Sequence, residues 1–169
     1  KLTTFRFTCI LITSLTLFKC SKLPDEDLLG KVSQNLIETN DFIILSAEDA
    51  NPTTTLIFYP GGLVDPHAYL EWQDELVAND PTVRIVTAKM PSNLAVINNK
   101  KGARLFDEYP NTKKWMIAGH SLGGAMATNM IDKYPDKLDA LIYLAAYPND
   151  DRIKNYAGGI LSISAKNEG

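Results

Sequence analysis

The stretch WMIAGHSLGGAMATNM, residues 115–130, changes its hydrophobic period in the middle. Its first four residues are apolar without a break, as in a strand that is buried on both faces of a sheet. After Ser121 the apolar residues recur at helical spacing, so a strand passes directly into a helix. The reversal is sharp, and it needs Gly119 and Gly123 because a side chain at either place would collide with the neighbouring strand or helix. The stretch predicts a strand-turn-helix unit with one serine at its tip.

Short apolar runs of the same kind recur along the chain, and helix-length segments separate them. We predict strands at residues 41–46, 56–60, 83–90, 114–119, 140–147 and 159–164, and helices at about 66–78, 94–109 and 121–134. Strands that alternate with helices form a parallel sheet through right-handed crossovers. The pattern therefore predicts an α/β fold with a mostly parallel, doubly wound sheet and helices on both faces, in which ligands bind outside the carboxyl ends of the strands.

The N-terminus has the pattern of an export signal. Lys1 and Arg6 precede the uncharged run FTCILITSLTLF, which is shorter than the ~20 residues of a membrane-spanning helix. A buried core helix is the alternative, and the absence of acidic residues before Asp25 favours export. Cys20 resembles the cysteine of a bacterial lipoprotein cleavage box, although Lys19 stands where a small residue is wanted. We predict a leader or lipoprotein anchor at 1–22, a linker or N-terminal segment at 23–40, and one α/β domain at 41–169.

Composition excludes several classes of function. With 45% hydrophobic and 22% charged residues the chain has the make-up of a globular domain. The net charge is -3 and the lysines and arginines are scattered among acids, so a nucleic-acid surface is not expected. The sequence has no metal-ligand cluster, phosphate loop or dinucleotide fingerprint, and we therefore expect no metal and no cofactor.

The serine at the tip of the strand-turn-helix unit has the surroundings of a nucleophile. A strained turn lifts its hydroxyl into the open, and the start of the following helix offers free N–H groups and the positive end of the helix dipole. The Leu122 N–H would be one donor of an oxyanion hole. The alternative is a glycine-rich turn in which Ser121 merely caps the helix. The preceding strand and the three glycines of GHSLGG favour the nucleophile.

A second stretch, LIFYPGGLVDPHAY at residues 56–69, ends a predicted strand in a Gly-Gly loop. A serine turn of this kind takes its other oxyanion N–H from such a loop, and Gly62 or Leu63 would supply it. An ordinary Pro-Gly turn is the alternative. The serine turn two strands later favours the functional interpretation.

From about residue 40 to its end the chain resembles the α/β-hydrolase superfamily. The segments LIFYPGGLVDPHAY, AKMPSNLAV, GHSLGGAMA and AAYP together look like its family-5, or dienelactone-hydrolase-like, branch. The resemblance implies that 41–169 is a hydrolase domain and that Ser121 is the nucleophile of a Ser-His-acid triad. It also implies an acid four residues after the strand ILSIS, which is Glu168 here. Ala165 replaces the family's glycine and glutamate replaces its aspartate, so a solvated loop carboxylate is the alternative.

The histidine of the triad follows the last strand in this family, so the resemblance implies that it lies beyond Gly169. We therefore expect a truncated chain that lacks its last strand or strands and is nearly inactive by itself. His120 is adjacent to Ser121, and its side chain should point away from the nucleophile and shape the pocket. His67 follows the Gly-Gly loop and is expected at the surface or at the rim of the pocket.

The sequence thus predicts a serine hydrolase that acts on an ester-like bond of a small acyl substrate. Tyr69, Met90, Pro91 and Tyr147 follow predicted strand ends and are candidates to line the pocket, with loop packing as the alternative. Two other functions stay open. One is an exported, non-catalytic binding protein on the same scaffold, and the other is an acyltransferase or thioesterase that uses the same serine. A dehalogenase is disfavoured because its nucleophile would be a carboxylate.

Overall fold

The computed structural model describes residues 32, 34–48, 50–148 and 151–164, which build a seven-stranded sheet in the order β1-β2-β4-β3-β5-β6-β7. The strands are β1 Asn35–Glu38, β2 Phe42–Ser46, β3 Thr54–Tyr59, β4 Val83–Ala88, β5 Lys114–His120, β6 Ala140–Leu144 and β7 Gly159–Ile163. β1 and β2 are antiparallel to their neighbours, whereas β3 to β7 all run parallel to one another. The mostly parallel sheet predicted from the sequence is confirmed.

The central strand β3 shows why continuous apolar runs become the middle of this sheet. It lies between β4 and β5, and successive side chains alternate between the two faces. Ile57 and Tyr59 belong to one hydrophobic cluster, whereas Leu56 and Phe58 belong to the other, and all four are buried. A strand that is covered on both faces has no position that suits a polar residue in contact with water.

Helices cover both faces of the sheet. They are α1 Leu70–Asn79, α2 Leu105–Glu108 and α3 Leu122–Lys133. α1 buries Leu70 and Val77 against the face that carries Phe58, whereas α3 buries Met130 and Ile131 against the face that carries Ile57. This arrangement confirms the predicted α/β fold with helices on both sides.

The predicted helix at 94–109 is wrong. That segment forms short 3-10 turns at Ala95–Ile97 and Lys101–Arg104 and then the single turn of α2. Lys101 is only 7% exposed, and its ammonium donates to the Lys89 carbonyl oxygen at 2.6 Å and to Asp41 at 2.8 Å. These contacts tie the segment to Lys89 just after β4 and to Asp41 just before β2. A regular helix would have to give them up, and Asn98, Asn99 and Gly102 favour a helix only weakly.

The sheet also begins earlier than predicted. β1 lies inside the segment 23–40 that was expected to be a linker, and it pairs with β2 from Asn35 opposite Ser46 to Glu38 opposite Ile43. As an edge strand it is short and mostly exposed, so its sequence NLIE carries no buried apolar run. The domain boundary at 41 therefore moves toward the N-terminus.

At the opposite edge, all five residues of β7 are exposed, with Ile160, Leu161 and Ile163 each about half exposed.

Two of the predicted features, the leader at 1–22 and the acid Glu168, lie outside the described residues. Within the described ranges, every helix is too short or too polar to cross a membrane.

The carboxyl ends of β3 and β5 are neighbours, because Tyr59 pairs with Gly119 at the last registered position of these two strands. The Gly-Gly loop follows β3 directly and Ser121 follows β5 directly. The parallel register therefore brings the two stretches selected from the sequence to one edge of the sheet.

Candidate active site

Ser121 stands at the junction of β5 and α3 with backbone angles φ = 49° and ψ = −121°. These angles are costly for a residue with a side chain, so the surrounding structure must hold the backbone there. The Ser121 N–H donates to the carbonyl oxygen of Leu144 on the adjacent strand β6 at 3.0 Å. Its side chain makes no capping hydrogen bond to α3, and the residue is exposed. Ser121 is therefore the N-cap residue of α3, but its side chain does not provide the cap.

Close backbone contacts explain the glycines on either side of the serine. A Cβ atom on Gly119 would lie 2.5 Å from the main-chain carbon of Gly123. A Cβ atom on Gly123 would overlap the carbonyl oxygens of Tyr59 and Pro60 at the end of β3. The first turn of α3 thus lies directly against the end of the central strand, and only glycine allows this approach.

Three consecutive amides form the loop after β3, and they have different partners. The Gly61 N–H donates to the Tyr69 hydroxyl at 2.9 Å, and the Leu63 N–H donates to the carbonyl oxygen of Asn93 at 2.8 Å. The Gly62 N–H has no acceptor among the described residues. Of the two amides that the sequence left open as oxyanion donors, the Leu63 amide is therefore already engaged and the Gly62 amide is unengaged.

The unengaged Gly62 amide belongs to a loop that packs on the start of α3. A Cβ atom on Gly62 would lie 2.9 Å from a methyl carbon of the Leu122 side chain. The N–H of Leu122 itself, the first residue of α3, also lacks an acceptor within the described part of the chain. Two N–H groups without acceptors therefore occur on neighbouring segments beside Ser121, and such donors attract an anion.

His120 makes a partly buried contact with Tyr69. Its Nδ1 lies 3.0 Å from the Tyr69 hydroxyl, and a Cβ atom on Gly61 would come within 2.6 Å of that nitrogen. Tyr69 is only 8% exposed, so it lies in the core beneath the loop. Burial raises the pKa of the Tyr69 phenol above its ordinary value, and the hydroxyl therefore keeps its proton at neutral pH.

His67 belongs to a separate group of charged side chains. Its Nδ1 lies 2.6 Å from Asp65, and its Nε2 lies 3.2 Å from Glu38 of β1. Partial burial by itself lowers the pKa of the His67 imidazole, but the hydrogen bonds to these two carboxylates outweigh burial and raise the pKa above its usual value. Lys89 completes the group with an ion pair to Glu38 at 2.7 Å.

The remaining pocket candidates are spread over two places. Met90, Pro91 and His67 line a cavity of about 400 Å³, and Ser121 is not among the described residues that line it. Tyr147 follows β6 and is 73% exposed. The structure thus brings together Ser121, Leu122, Gly62, Tyr69 and His120, and it places His67 and Met90 in the neighbouring polar cavity.

Asn93, which is not among the residues predicted from the sequence, holds the loop through its carbonyl oxygen. Asn93 has φ = 54° and follows Ser92 with φ = 52°, and this left-handed pair turns its carbonyl oxygen toward Leu63. The Ser-Asn pair after Pro91 is a turn signal in the sequence. The contact to Leu63 bridges distant positions of the chain and has no local signature.

Comparisons with known proteins agree with this fold. The sequence model described as the alpha/beta hydrolase family matches residues 55–169, which is more than half of the chain. The chain belongs to the alpha/beta hydrolase family. No curated protein matches this chain.

Solved structures share its fold. Esterase Est22, in complex with p-nitrophenol, is 12% identical with a TM-score of 0.55, and the match covers 85% of this chain and 53% of that one. An esterase of Pyrobaculum calidifontis is 16% identical with a TM-score of 0.55 over 86% of this chain and 55% of that one. The thioesterase domain of the curacin biosynthetic pathway is 18% identical with a TM-score of 0.50, and the match covers 72% of this chain and 49% of that one. This chain spans about half the length of these proteins.

The side chains and main-chain donors around Ser121 decide what chemistry this site can carry out. Within the described ranges, no three His, Cys, Asp or Glu side chains are grouped so that they could hold a metal ion. A strained, exposed serine hydroxyl stands next to two main-chain N–H groups. This combination can hold a carbonyl substrate and stabilise negative charge on its oxygen.

Proposed function

We propose that this hydrolase cleaves ester-like bonds and that Ser121 is its nucleophile. The observation that carries the proposal is the backbone of Ser121, held at φ = 49° with its side chain exposed and not used as a helix cap. A conformation that costs energy persists where the surroundings impose it, and such strain concentrates at functional sites. The serine oxygen would attack the carbonyl carbon, and the ester alcohol would leave as an acyl-enzyme forms.

The amides of Leu122 and Gly62 would hold the oxyanion of the tetrahedral intermediate. Both N–H groups lack an acceptor among the described residues, whereas the amides of Gly61 and Leu63 are engaged. One preorganised donor of this kind contributes about 3 to 4 kcal/mol to the lowering of the barrier. The geometry therefore favours Gly62 over Leu63 as the second donor.

The general base is proposed to be a histidine downstream of Gly169. The sequence contains two histidines, and both have other hydrogen-bond partners. His120 contacts Tyr69, and His67 contacts Asp65 and Glu38. Glu168 is proposed to orient that base, in line with the resemblance to the dienelactone-hydrolase-like branch. Export by residues 1–22 and anchoring through Cys20 are likewise proposals.

Hydrolysis of short p-nitrophenyl esters by the full gene product tests the function. Ser121→Ala should reduce the rate to background while the circular dichroism spectrum stays unchanged. Ser162→Ala is the matched control, because Ser162 is an exposed serine on the edge strand β7. Equal rates for wild type and Ser121→Ala would refute the proposal. Transfer of the acyl group to an added alcohol would indicate an acyltransferase. Faster cleavage of a thioester than of the corresponding ester would indicate a thioesterase.

A further inference from the structure

We propose that Tyr69 is a positioning residue of the oxyanion hole. Its hydroxyl ties the loop Gly61–Leu63 to His120 of the serine turn and thereby aims the Gly62 N–H at the reacting carbonyl. The inference rests on the function proposed for Ser121. Tyr69 itself does not contact the substrate in this scheme, because it acts through the main chain of the loop.

We assign one direction to the hydrogen bonds at Tyr69 as part of this proposal. The Gly61 amide donates its hydrogen to the Tyr69 oxygen at 2.9 Å, so the phenol accepts that bond. Its own hydrogen is then available for Nδ1 of His120, 3.0 Å away, which must be unprotonated to accept it. The result is a chain of hydrogen bonds that joins the loop to the residue next to Ser121.

The loop needs such a restraint because two glycines follow each other in it. Gly61 and Gly62 have a wider choice of backbone conformations than other residues. Each peptide group is planar, so an anchored N–H on either side limits how the Gly62 amide can rotate. Tyr69 anchors the Gly61 amide and the Asn93 carbonyl anchors the Leu63 amide. Of these three amides, only that of Gly62 lacks a partner in the described part of the chain. The anchored amides of Gly61 and Leu63 fix its direction.

Tyr69 is itself held rigidly by the core. It closes the 3-10 turn Pro66–Tyr69 directly before α1, and only 8% of it is exposed. Its ring packs against Phe58 of the central strand β3, with 4.7 Å between the ring centroids. The hydroxyl is therefore a fixed point of the fold. Its two hydrogen bonds transfer this rigidity to a loop that has no side chains of its own at Gly61 and Gly62.

Tyr69→Phe in the full gene product is the direct test, because it removes one oxygen and leaves the ring. The Gly62 amide remains but is less well aimed, so we expect kcat for p-nitrophenyl acetate to fall about 10- to 100-fold. KM should stay within about twofold, since the ground-state ester makes little use of the oxyanion donors.

Tyr59→Phe is the matched control. The Tyr59 hydroxyl is also buried, accepts the Gly102 N–H at 3.1 Å and donates to the Asn99 carbonyl at 2.9 Å. Both variants lose a phenol oxygen that joins two partners, and both should lose similar stability. If kcat falls equally in both variants, or if Tyr69→Phe stays within twofold of wild type, the positioning role is refuted.

Variants of His120 test the other end of the hydrogen-bond chain. His120→Asn places an oxygen where Nδ1 accepts the phenol hydrogen, whereas His120→Leu offers no acceptor. We expect kcat of His120→Asn to exceed that of His120→Leu by about tenfold at equal KM. Equal values for the two variants would contradict the inference, since a structural role in packing does not require an acceptor at that position.

A spectroscopic measurement separates this inference from the proposed function. If the wild-type protein shows no activity that depends on Ser121, the proposed function fails and the ¹⁵N NMR signals decide the positioning claim. We expect the Gly61 amide and the Nδ1 of His120 to shift in Tyr69→Phe and to stay in place in Tyr59→Phe. Unchanged signals in Tyr69→Phe would show that the hydroxyl does not hold the loop.

Discussion

The replacement Gly123→Ala measures how closely α3 must approach the central strand. The new methyl group would overlap the carbonyl oxygens of Tyr59 and Pro60. These are main-chain atoms that cannot rotate away, so β3 and α3 must separate. Overpacking typically costs about 1 to 3 kcal/mol of stability. Because the obstructing carbonyl groups are rigid, we expect the cost at Gly123 to lie near the upper end of that range. Alanine in a helix gains about 1 kcal/mol over glycine. We therefore expect a net loss of about 2 kcal/mol in the free energy of unfolding.

Urea unfolding followed by the fluorescence of the buried Trp115 gives this free energy. Gly159→Ala is the control, because a Cβ atom there would meet nothing closer than the Ala140 Cβ at 3.8 Å. That variant should equal wild type or gain about 0.5 to 1 kcal/mol from the loss of a glycine in a strand. If Gly123→Ala is as stable as Gly159→Ala, the explanation that close packing requires glycine at position 123 is refuted.

Two further predictions concern stability. The raised pKa of His67 means that its protonated form stabilises the fold below about pH 6.5 and that this contribution is lost as the pH rises through the folded value. His67→Gln should therefore cost about 0.5 to 1 kcal/mol at pH 5 and less at pH 9, and an equal cost at both would contradict the ion pairs with Asp65 and Glu38. Ile117→Val, at a fully buried position of β5, should cost about 0.5 to 1.5 kcal/mol. Ile160→Val, half exposed on β7, should cost under about 0.5 kcal/mol in the same denaturation experiment.

The central strands and the strand-turn-helix unit at Ser121 were predictable because their physical requirements are local. Central strands such as β3 and β5 are buried on both faces, so their sequences show unbroken apolar runs. The serine turn needs glycines at fixed offsets because the contact that excludes a side chain lies within a few residues or on the adjacent strand. Both requirements leave a pattern that can be recognised in a single sequence.

The edges of the sheet and the segment after β4 were not predictable in this way. β1 is exposed and short, so nothing in its composition distinguishes it from a linker. The apolar spacing at 94–109 imitates a helix, but the buried ammonium of Lys101 and its distant partner Asp41 determine the actual turns. That the strand β2 runs antiparallel follows from its pairing with β4, not from its own residues.

In the candidate site, too, some features could be predicted from sequence motifs and others depend on contacts that only the fold creates. The exposed serine and the Gly-Gly loop follow from motifs, whereas the choice between Gly62 and Leu63 depends on a hydrogen bond to Asn93. The link from Tyr69 to His120 joins residues 51 positions apart. Such contacts arise only when the strands are in register, and one sequence does not display them.

The reactivity of the Ser121 oxygen is the central claim, and labelling with a fluorophosphonate probe tests it most directly. The full gene product would be incubated with the probe and the modified peptide located by mass spectrometry. We predict a single adduct on Ser121, with no adduct in Ser121→Ala and undiminished labelling in Ser162→Ala. An intact, folded wild-type protein that takes up no probe, or takes it up at another residue, would contradict the account.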